Sequence, residues 1–141
     1  MCYLKFNNIE DYRYLEQDVQ EWQKYLSITF FQKLQHLKVK YLPSNGVCML
    51  IENSHGNIKE ISIWDRLEEK DPLCTKKLFK AIAKNCSKIE RLKVEIQLEN
   101  LSGIKEIFLN CERLNKLSLL LKSNVGIICD ELLEILINYS P

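Results

Sequence analysis

The chain has 141 residues, of which 46% are apolar and 28% charged, and its net charge is +1. A single domain of this length can bury a substantial hydrophobic core, and a nearly neutral chain carries no global charge that favours nucleic acid or an anionic membrane. The longest apolar runs, such as LSLLL at 117–121, are too short to span a bilayer. Composition therefore predicts one globular domain without a membrane span.

The first predicted element is an amphipathic helix over residues 9–26. We assign residues 1–27 to an N-terminal amphipathic helix that flanks and caps the rest of the chain, and the alternative is a docking helix for another protein. The segment lacks the apolar core of a signal peptide and a glycine at position 2 for myristoylation. Its apolar stripe is formed by Ile9, Tyr12, Leu15, Val19, Trp22 and Leu26.

Residues 28–141 contain a short aliphatic frame four times. Each copy reads aliphatic, two residues, aliphatic, one residue, aliphatic, and successive copies are offset by 24, 31 and 25 residues. This spacing is typical of leucine-rich repeats. The copies are Leu34, Leu37 and Val39; Ile58, Ile61 and Ile63; Ile89, Leu92 and Val94; and Leu114, Leu117 and Leu119.

Each frame predicts a half-buried strand, and a helical pattern follows each strand. The strands are expected near residues 36–40, 60–64, 91–95 and 116–120. Strands that alternate with helices at a regular period form a parallel sheet, so the sequence predicts an α/β fold with the helices on one side of the sheet.

Three helices have predicted starts or apolar faces. One is expected after Asp71 as N-cap and Pro72 in the first turn, and the last is expected to open on an Asp130 cap. The predicted apolar faces are Leu73, Leu78, Ala81 and Ile82 in the first of these helices, and Leu101, Ile104, Phe108 and Leu109 in the next.

Two of the six cysteines, Cys86 and Cys111, lie three residues before the first aliphatic residue of a frame, each after an asparagine. We expect both to be buried, reduced packing residues where a helix turns into a strand. In the first two copies the same position falls on Phe31 and His55, and Tyr139 occupies it after the last helix. Without a secretory signal or a Cys-x-x-Cys pair, the cysteines predict neither disulfides nor a metal site, and we expect a cytoplasmic or nuclear protein without cofactors.

Outward positions of the four strands form three columns, which we predict to be the partner-binding surface. These twelve positions hold more Lys and Arg than Glu, although the whole chain is nearly neutral. The columns are His36, Glu60, Arg91 and Lys116; Lys38, Ser62, Lys93 and Ser118; and Lys40, Trp64, Glu95 and Leu120.

Trp64 is the predicted interface anchor within this surface, because aromatic residues dominate binding hot spots. Alternatively, Trp64 packs against the segment 65–75, and the charged residues only keep the sheet face soluble. The chain has no Gly-rich phosphate loop, nucleophile elbow or metal-ligand spacing, so we predict no enzymatic activity. A nucleic-acid-binding module, with Trp64 stacking on a base, is a lower-ranked alternative.

The stretches LFKAIAKNCSKIERLKV (78–94) and LNCERLNKLSL (109–119) resemble the cysteine-containing repeats of F-box/leucine-rich-repeat proteins, especially the fungal F-box-like expansions. The resemblance covers residues 28–141. It implies a leucine-rich-repeat solenoid of about four repeats plus an N-terminal helix, with short parallel strands on the concave face and helices on the convex face.

In that family the repeats recognise the protein substrate of a cullin (SCF-type) ubiquitin ligase, and a separate F-box binds the Skp adaptor. Residues 1–30 lack the Leu-Pro pair that opens an F-box, so the adaptor is expected as a partner only if an F-box exists outside this chain. The resemblance and the basic columns together predict a non-enzymatic module that binds a protein, with an acidic segment as the favoured target. The alternative within this class is a truncated or decayed repeat fragment that acts as a stand-alone scaffold.

Overall fold

In a computed structural model of the chain, the structure describes residues 2–6, 21, 24–25, 27–28, 30–40, 44–64, 72–121 and 125–141. Within these residues, five strands form one sheet, in which the strand order follows the chain and every neighbouring pair is parallel. The strands are Cys2–Phe6 (β1), Leu34–Lys40 (β2), Glu60–Trp64 (β3), Arg91–Ile96 (β4) and Lys116–Leu121 (β5).

Helices alternate with strands β2 to β5, and each helix packs against the next one along the chain. A short 3-10 turn, Leu98–Asn100, leads into the third helix. The helices are Ser44–Glu52 (α1), Pro72–Asn85 (α2), Leu101–Asn110 (α3) and Val125–Tyr139 (α4). The predicted α/β fold with parallel strands at the four aliphatic frames is confirmed.

Strand β1 was not predicted, because it lies inside the segment assigned to an N-terminal helix. Its backbone continues the register of the sheet: Leu4 pairs with Leu37, and Phe6 pairs with Val39. Positions 21, 24–25 and 27–28 are helical. The predicted apolar stripe of that helix lies outside the described residues, so its capping role stays a prediction.

The hydrophobic core lies between the sheet and the helices. Aliphatic residues of the frames, such as Leu37, Ile61 and Leu92, are completely or almost completely buried. They belong to the same cluster as the inward residues of the helices, including Leu50 and Ile104. Since alternate strand residues point to opposite faces, one face of the sheet is buried under the helices and the other carries the polar columns.

Helices α2 and α3 approach each other closely at Gly103. A Cβ atom added to Gly103 would lie 2.7 Å from the Cβ atom of Phe79, which is far shorter than a normal carbon–carbon contact. Phe79 is itself buried in the core. The glycine therefore allows the aromatic ring of one helix to pack directly against the backbone of the next.

Two predicted features of the helices are wrong. Helix α4 begins at Val125 rather than at Asp130, because the apolar run 125–129 continues the helix toward its N-terminus. Leu109 is 59% exposed, whereas Ile107 is buried. A residue five positions after Ile104 is rotated by about 140° around the helix, so Leu109 cannot share its face, while Ile107 at three positions can.

The turn from helix to strand has the same hydrogen bond at three repeats. The backbone N–H of Ile89 donates to the carbonyl of Cys86 at 3.0 Å, and that of Leu114 donates to Cys111 at 3.1 Å. The N–H of Leu34 likewise donates to Phe31 at 3.0 Å. The cysteines thus occupy a structurally equivalent position, as the sequence pattern predicts.

In the repeat of β3 this position belongs to Ser54, not to His55 as predicted. Ser54 is buried, its carbonyl accepts the N–H of Asn57 at 3.3 Å, and its hydroxyl donates to the carbonyl of Ile51 at 2.6 Å. His55 is exposed and has a φ of 53°, and Gly56 follows with a φ of 72°. These two left-handed residues lengthen the turn by one residue and shift the small buried side chain one position earlier.

Cys86 and Cys111 are both free and fully buried, which confirms their predicted packing role. Burial and the nearby Cys111 raise the pKa of Cys86 to about 12, and burial raises the pKa of Cys111 to about 11. The preceding asparagines close the helices: Asn85 donates from Nδ2 to the carbonyl of Ala81, and Asn110 does so to that of Glu106. The repeated Asn-Cys pair therefore serves to end a helix and to fill the space beneath the turn.

Candidate partner-binding surface

The twelve outward positions, here called the strand face, lie on β2 to β5. Backbone pairing places the first column in continuous register, with His36 opposite Glu60, Glu60 opposite Arg91, and Arg91 opposite Lys116. Successive parallel strands are about 4.8 Å apart, so neighbouring members of a column are within reach of one another. The sequence frame therefore placed this column correctly.

The second column is also continuous, whereas the third is interrupted. Lys38, Ser62, Lys93 and Ser118 follow one another across the four strands. In the third column Lys40 pairs with Trp64 and Glu95 pairs with Leu120, but the pairing of β3 with β4 ends at the second column. The side chain of Trp64 lies outside the described residues, so both interpretations of Trp64 stay predictions.

At the centre of the strand face, one residue is less exposed than predicted. Ser62 was predicted to face a partner, but it is only 6% exposed. Its backbone partners on the flanking strands are Lys38 and Lys93. Exposed members are Lys40, Arg91, Lys116 and Leu120, and partly buried members are His36, Lys38, Glu60, Lys93, Glu95 and Ser118.

Glu60 is the centre of a cluster of charged side chains. Its Oε2 atom is 3.0 Å from Nδ1 of His36 and 3.2 Å from Nη2 of Arg91. Its Oε1 atom is 3.9 Å from Nζ of Lys38. One carboxylate on β3 thus joins basic side chains from both neighbouring strands, and the cluster ties β2, β3 and β4 together on their outer face.

The cluster stabilises the ionised form of Glu60. Burial acts to raise the pKa of this carboxyl, but the hydrogen bond with His36 and the charges of Arg91, Lys38 and His36 outweigh it. The pKa of Glu60 is therefore below its usual value of 4.5. At neutral pH the cluster contains one carboxylate and the positive charges of Arg91 and Lys38.

Beside this cluster the strand face has a shallow depression of about 320 Å³. Among the described residues that line it, Glu60 is the only acidic one, and Ile61 and Leu92 contribute to its floor. The other lining residues are Lys38, Ser62, Arg91, Lys93, Lys116 and Ser118. This surface offers ammonium, guanidinium and hydroxyl donors, which are suited to hydrogen bonds with carboxylates.

All four residues of this cluster were predicted to belong to the surface, but their contacts with one another were not predicted. They are Glu60, His36, Lys38 and Arg91. The signal was present in the columns, because Glu60 is the one acid in a row with basic neighbours on both sides. Opposite charges on adjacent strands are expected to pair. The contacts mean that Arg91 and Lys38 stabilise the sheet in addition to any role in binding.

Other types of site find no support in the residues that the structure describes. Among them, no group of three or more His, Cys, Asp or Glu residues is arranged to hold a metal ion. None of the helices in that part of the chain combines the length and the apolar character needed to cross a bilayer. Comparisons with protein-family models, curated proteins and solved structures found nothing that matches this chain.

Proposed function

We propose that this chain is a non-enzymatic protein-binding module, built as a leucine-rich-repeat solenoid whose strand face is the concave recognition surface. In this proposal it resembles the substrate-recognition part of an F-box/leucine-rich-repeat subunit of a cullin ubiquitin ligase. The observation that carries the proposal is the continuous register of two columns of polar side chains across four parallel strands. Such a regular platform presents side chains from successive repeats to one ligand.

The repeat architecture is supported by the agreement between sequence period and structural unit. Each aliphatic frame coincides with one strand, and the equivalent turn recurs at Phe31, Ser54, Cys86 and Cys111. The neighbouring helices pack in chain order, as expected where each repeat contacts mainly the next.

The charge of the strand face favours an acidic protein segment. The twelve positions contain five Lys or Arg residues and two Glu residues, and Glu60 already compensates part of this charge through Arg91 and Lys38. Lys93 and Lys116 add two further basic side chains, and both line the depression. A carboxylate-rich segment that follows the columns would complement them.

The stand-alone scaffold and the nucleic-acid-binding module are the competing functions. A scaffold would bind the same target without the Skp adaptor and the cullin, whereas a nucleic-acid module would bind oligonucleotides with a steep dependence on salt. No observation on the strand face favours either of them over the recognition of an acidic protein segment.

Co-purification from cells tests the proposal. The tagged chain is compared with the strand-face variant Lys93→Glu/Lys116→Glu and with Arg113→Glu, a single charge reversal at an exposed turn residue outside the strand face. We expect a protein partner to be retained by the unchanged chain and by Arg113→Glu but lost from the strand-face variant. The Skp adaptor and the cullin are quantified in the same samples, and their absence would favour the stand-alone scaffold.

A further inference from the structure

A second surface lies on the helical side of the molecule, in a groove between α1 and α2. These helices pack against each other, and the groove between their outer faces has a volume of about 510 Å³. Helix α1 contributes Asn45, Cys48, Met49 and Glu52, and α2 contributes Lys77, Lys80, Ala81, Lys84 and Asn85. On each helix these positions follow the spacing of a single face.

The charge of this groove is nearly uncompensated. Residues 72–89 contain five lysines and no acidic residue. Lys77, Lys80 and Lys84 are exposed, and none of them forms an ion pair with another described residue. Glu52 is the one acid among the described residues that line the groove. This differs from the strand face, where Glu60 holds Lys38 and Arg91.

The arrangement of these lysines destabilises helix α2 when no ligand is bound. Lys76 and Lys80 are four residues apart, as are Lys80 and Lys84, and like charges at this spacing repel each other on a helix surface. An acidic ligand in the groove would remove this repulsion.

The floor of the groove is apolar and adaptable. Cys48 and Met49 line the groove and are half-buried, and Ala81, which also lines it, is buried. Methionine side chains adjust their shape to different ligands and are common in grooves that receive amphipathic helices. The phosphate backbone of a nucleic acid would not form apolar contacts of this kind and would contact only the lysines.

We propose that the groove between α1 and α2 docks an acidic amphipathic helix of a partner protein. The apolar face of that helix lies on Cys48, Met49 and Ala81, and its carboxylates pair with Lys77, Lys80 and Lys84. The groove is separate from the strand face, so this proposal goes beyond the proposed function and does not depend on it.

The test uses a designed peptide of about 18 residues, five helical turns, with Leu at i, i+3, i+4 and i+7 spacing and Glu elsewhere. A scrambled peptide of the same composition and a single-stranded oligonucleotide are the comparison ligands. Binding is measured by fluorescence anisotropy to the unchanged chain, to Lys77→Glu/Lys80→Glu/Lys84→Glu, and to Lys93→Glu/Lys116→Glu as the strand-face control. Alkylation of Cys48, followed by mass spectrometry, reports directly on the floor of the groove.

We expect the amphipathic peptide to bind, to slow the alkylation of Cys48, and to lose affinity about tenfold or more with the triple lysine variant but not with the strand-face control. Equal binding of the scrambled peptide or tighter binding of the oligonucleotide would overturn the proposal and indicate a general polyanion surface. Unchanged alkylation of Cys48, or loss of affinity only with the strand-face control, would also overturn it.

Discussion

At the scale of single residues, the repeated Asn-Cys pair and Glu60 have different tasks. The asparagine closes a helix and the cysteine fills the space beneath the following turn, where burial raises the pKa of both thiols. Glu60 instead links three strands through His36, Lys38 and Arg91. The thiols are therefore structural, whereas the carboxylate shapes the charge of the strand face.

The buried thiols predict slow chemistry in the folded protein. Cys86 and Cys111 should react with iodoacetamide only at the rate of unfolding, because both are buried and have raised pKa values of about 12 and about 11. Cys48 is half-buried and should react in the native state. Peptide mass spectrometry over a time course measures each site, and rapid native labelling of Cys86 or Cys111 would show that they are accessible.

The Glu60 cluster predicts a specific pH dependence of stability. Because the folded-state pKa of Glu60 is lowered, its stabilisation is present above the usual glutamate pKa and is lost as the pH falls through the folded value. Glu60→Gln should therefore lower the free energy of unfolding at pH 7 and should differ progressively less from the unchanged chain below pH 4.5. Urea unfolding at several pH values measures the difference, and a constant difference would contradict the cluster.

At the scale of elements, packing between neighbouring helices determines how closely the repeats stack. Gly103 sits against Phe79, and α2 and α3 pack against each other along their length. The helix tolerates the low helical propensity of glycine here because a larger residue has no space.

Gly103→Ala tests this contact. Alanine favours helices by about 1 kcal/mol relative to glycine, but the added methyl group must displace Phe79, which costs about 1–3 kcal/mol in a well-packed core. We expect a net loss in the free energy of unfolding, measured by urea denaturation. Ser102→Ala, at the exposed neighbouring position, is the control and should be neutral or slightly stabilising. If Gly103→Ala instead had a higher free energy of unfolding than the unchanged chain, α2 and α3 would accommodate the added methyl group without a loss of stability.

Much of the element order could be predicted, because the aliphatic frame repeats and each copy forms one strand. Strand β1 was missed although Leu4 and Phe6 pair with the second and third frame positions of β2, since residues 1–27 were assigned to an N-terminal helical segment. The start of α4 was missed because Asp130 is a good cap in sequence but lies within a helix that apolar residues extend. Ser54 was missed because the left-handed His55 and Gly56 add one residue to its turn.

For the strand face, the spacing of the aliphatic frame was enough to predict the columns. The contacts between side chains within the columns could not be predicted from the sequence. Column membership follows from strand register alone. Whether Arg91 and Lys38 face solvent or Glu60 depends on side-chain direction, which residue spacing does not determine. The burial of Ser62 was likewise not predictable from its position in the column.

At the scale of the whole molecule, the strand face on β2 to β5 offers a small platform. Four strands at about 4.8 Å spacing are about 15 Å across, and two steps of about 7 Å separate the outer columns. A standard protein interface uses about 800 Å² on each partner, which exceeds this area several-fold. We therefore expect weak binding of an isolated target segment through the strand face alone, with tighter binding only where further surface contributes.

Recognition of an acidic protein segment by the strand face can be tested with a co-purified partner. Isothermal titration at low and high salt measures the affinity of this partner for the unchanged chain, for Lys93→Glu/Lys116→Glu and for Arg113→Glu. We expect weak binding that decreases with salt, is lost in the strand-face variant and is unchanged in Arg113→Glu. Equal affinity of all three proteins, or binding that does not change with salt, would contradict it.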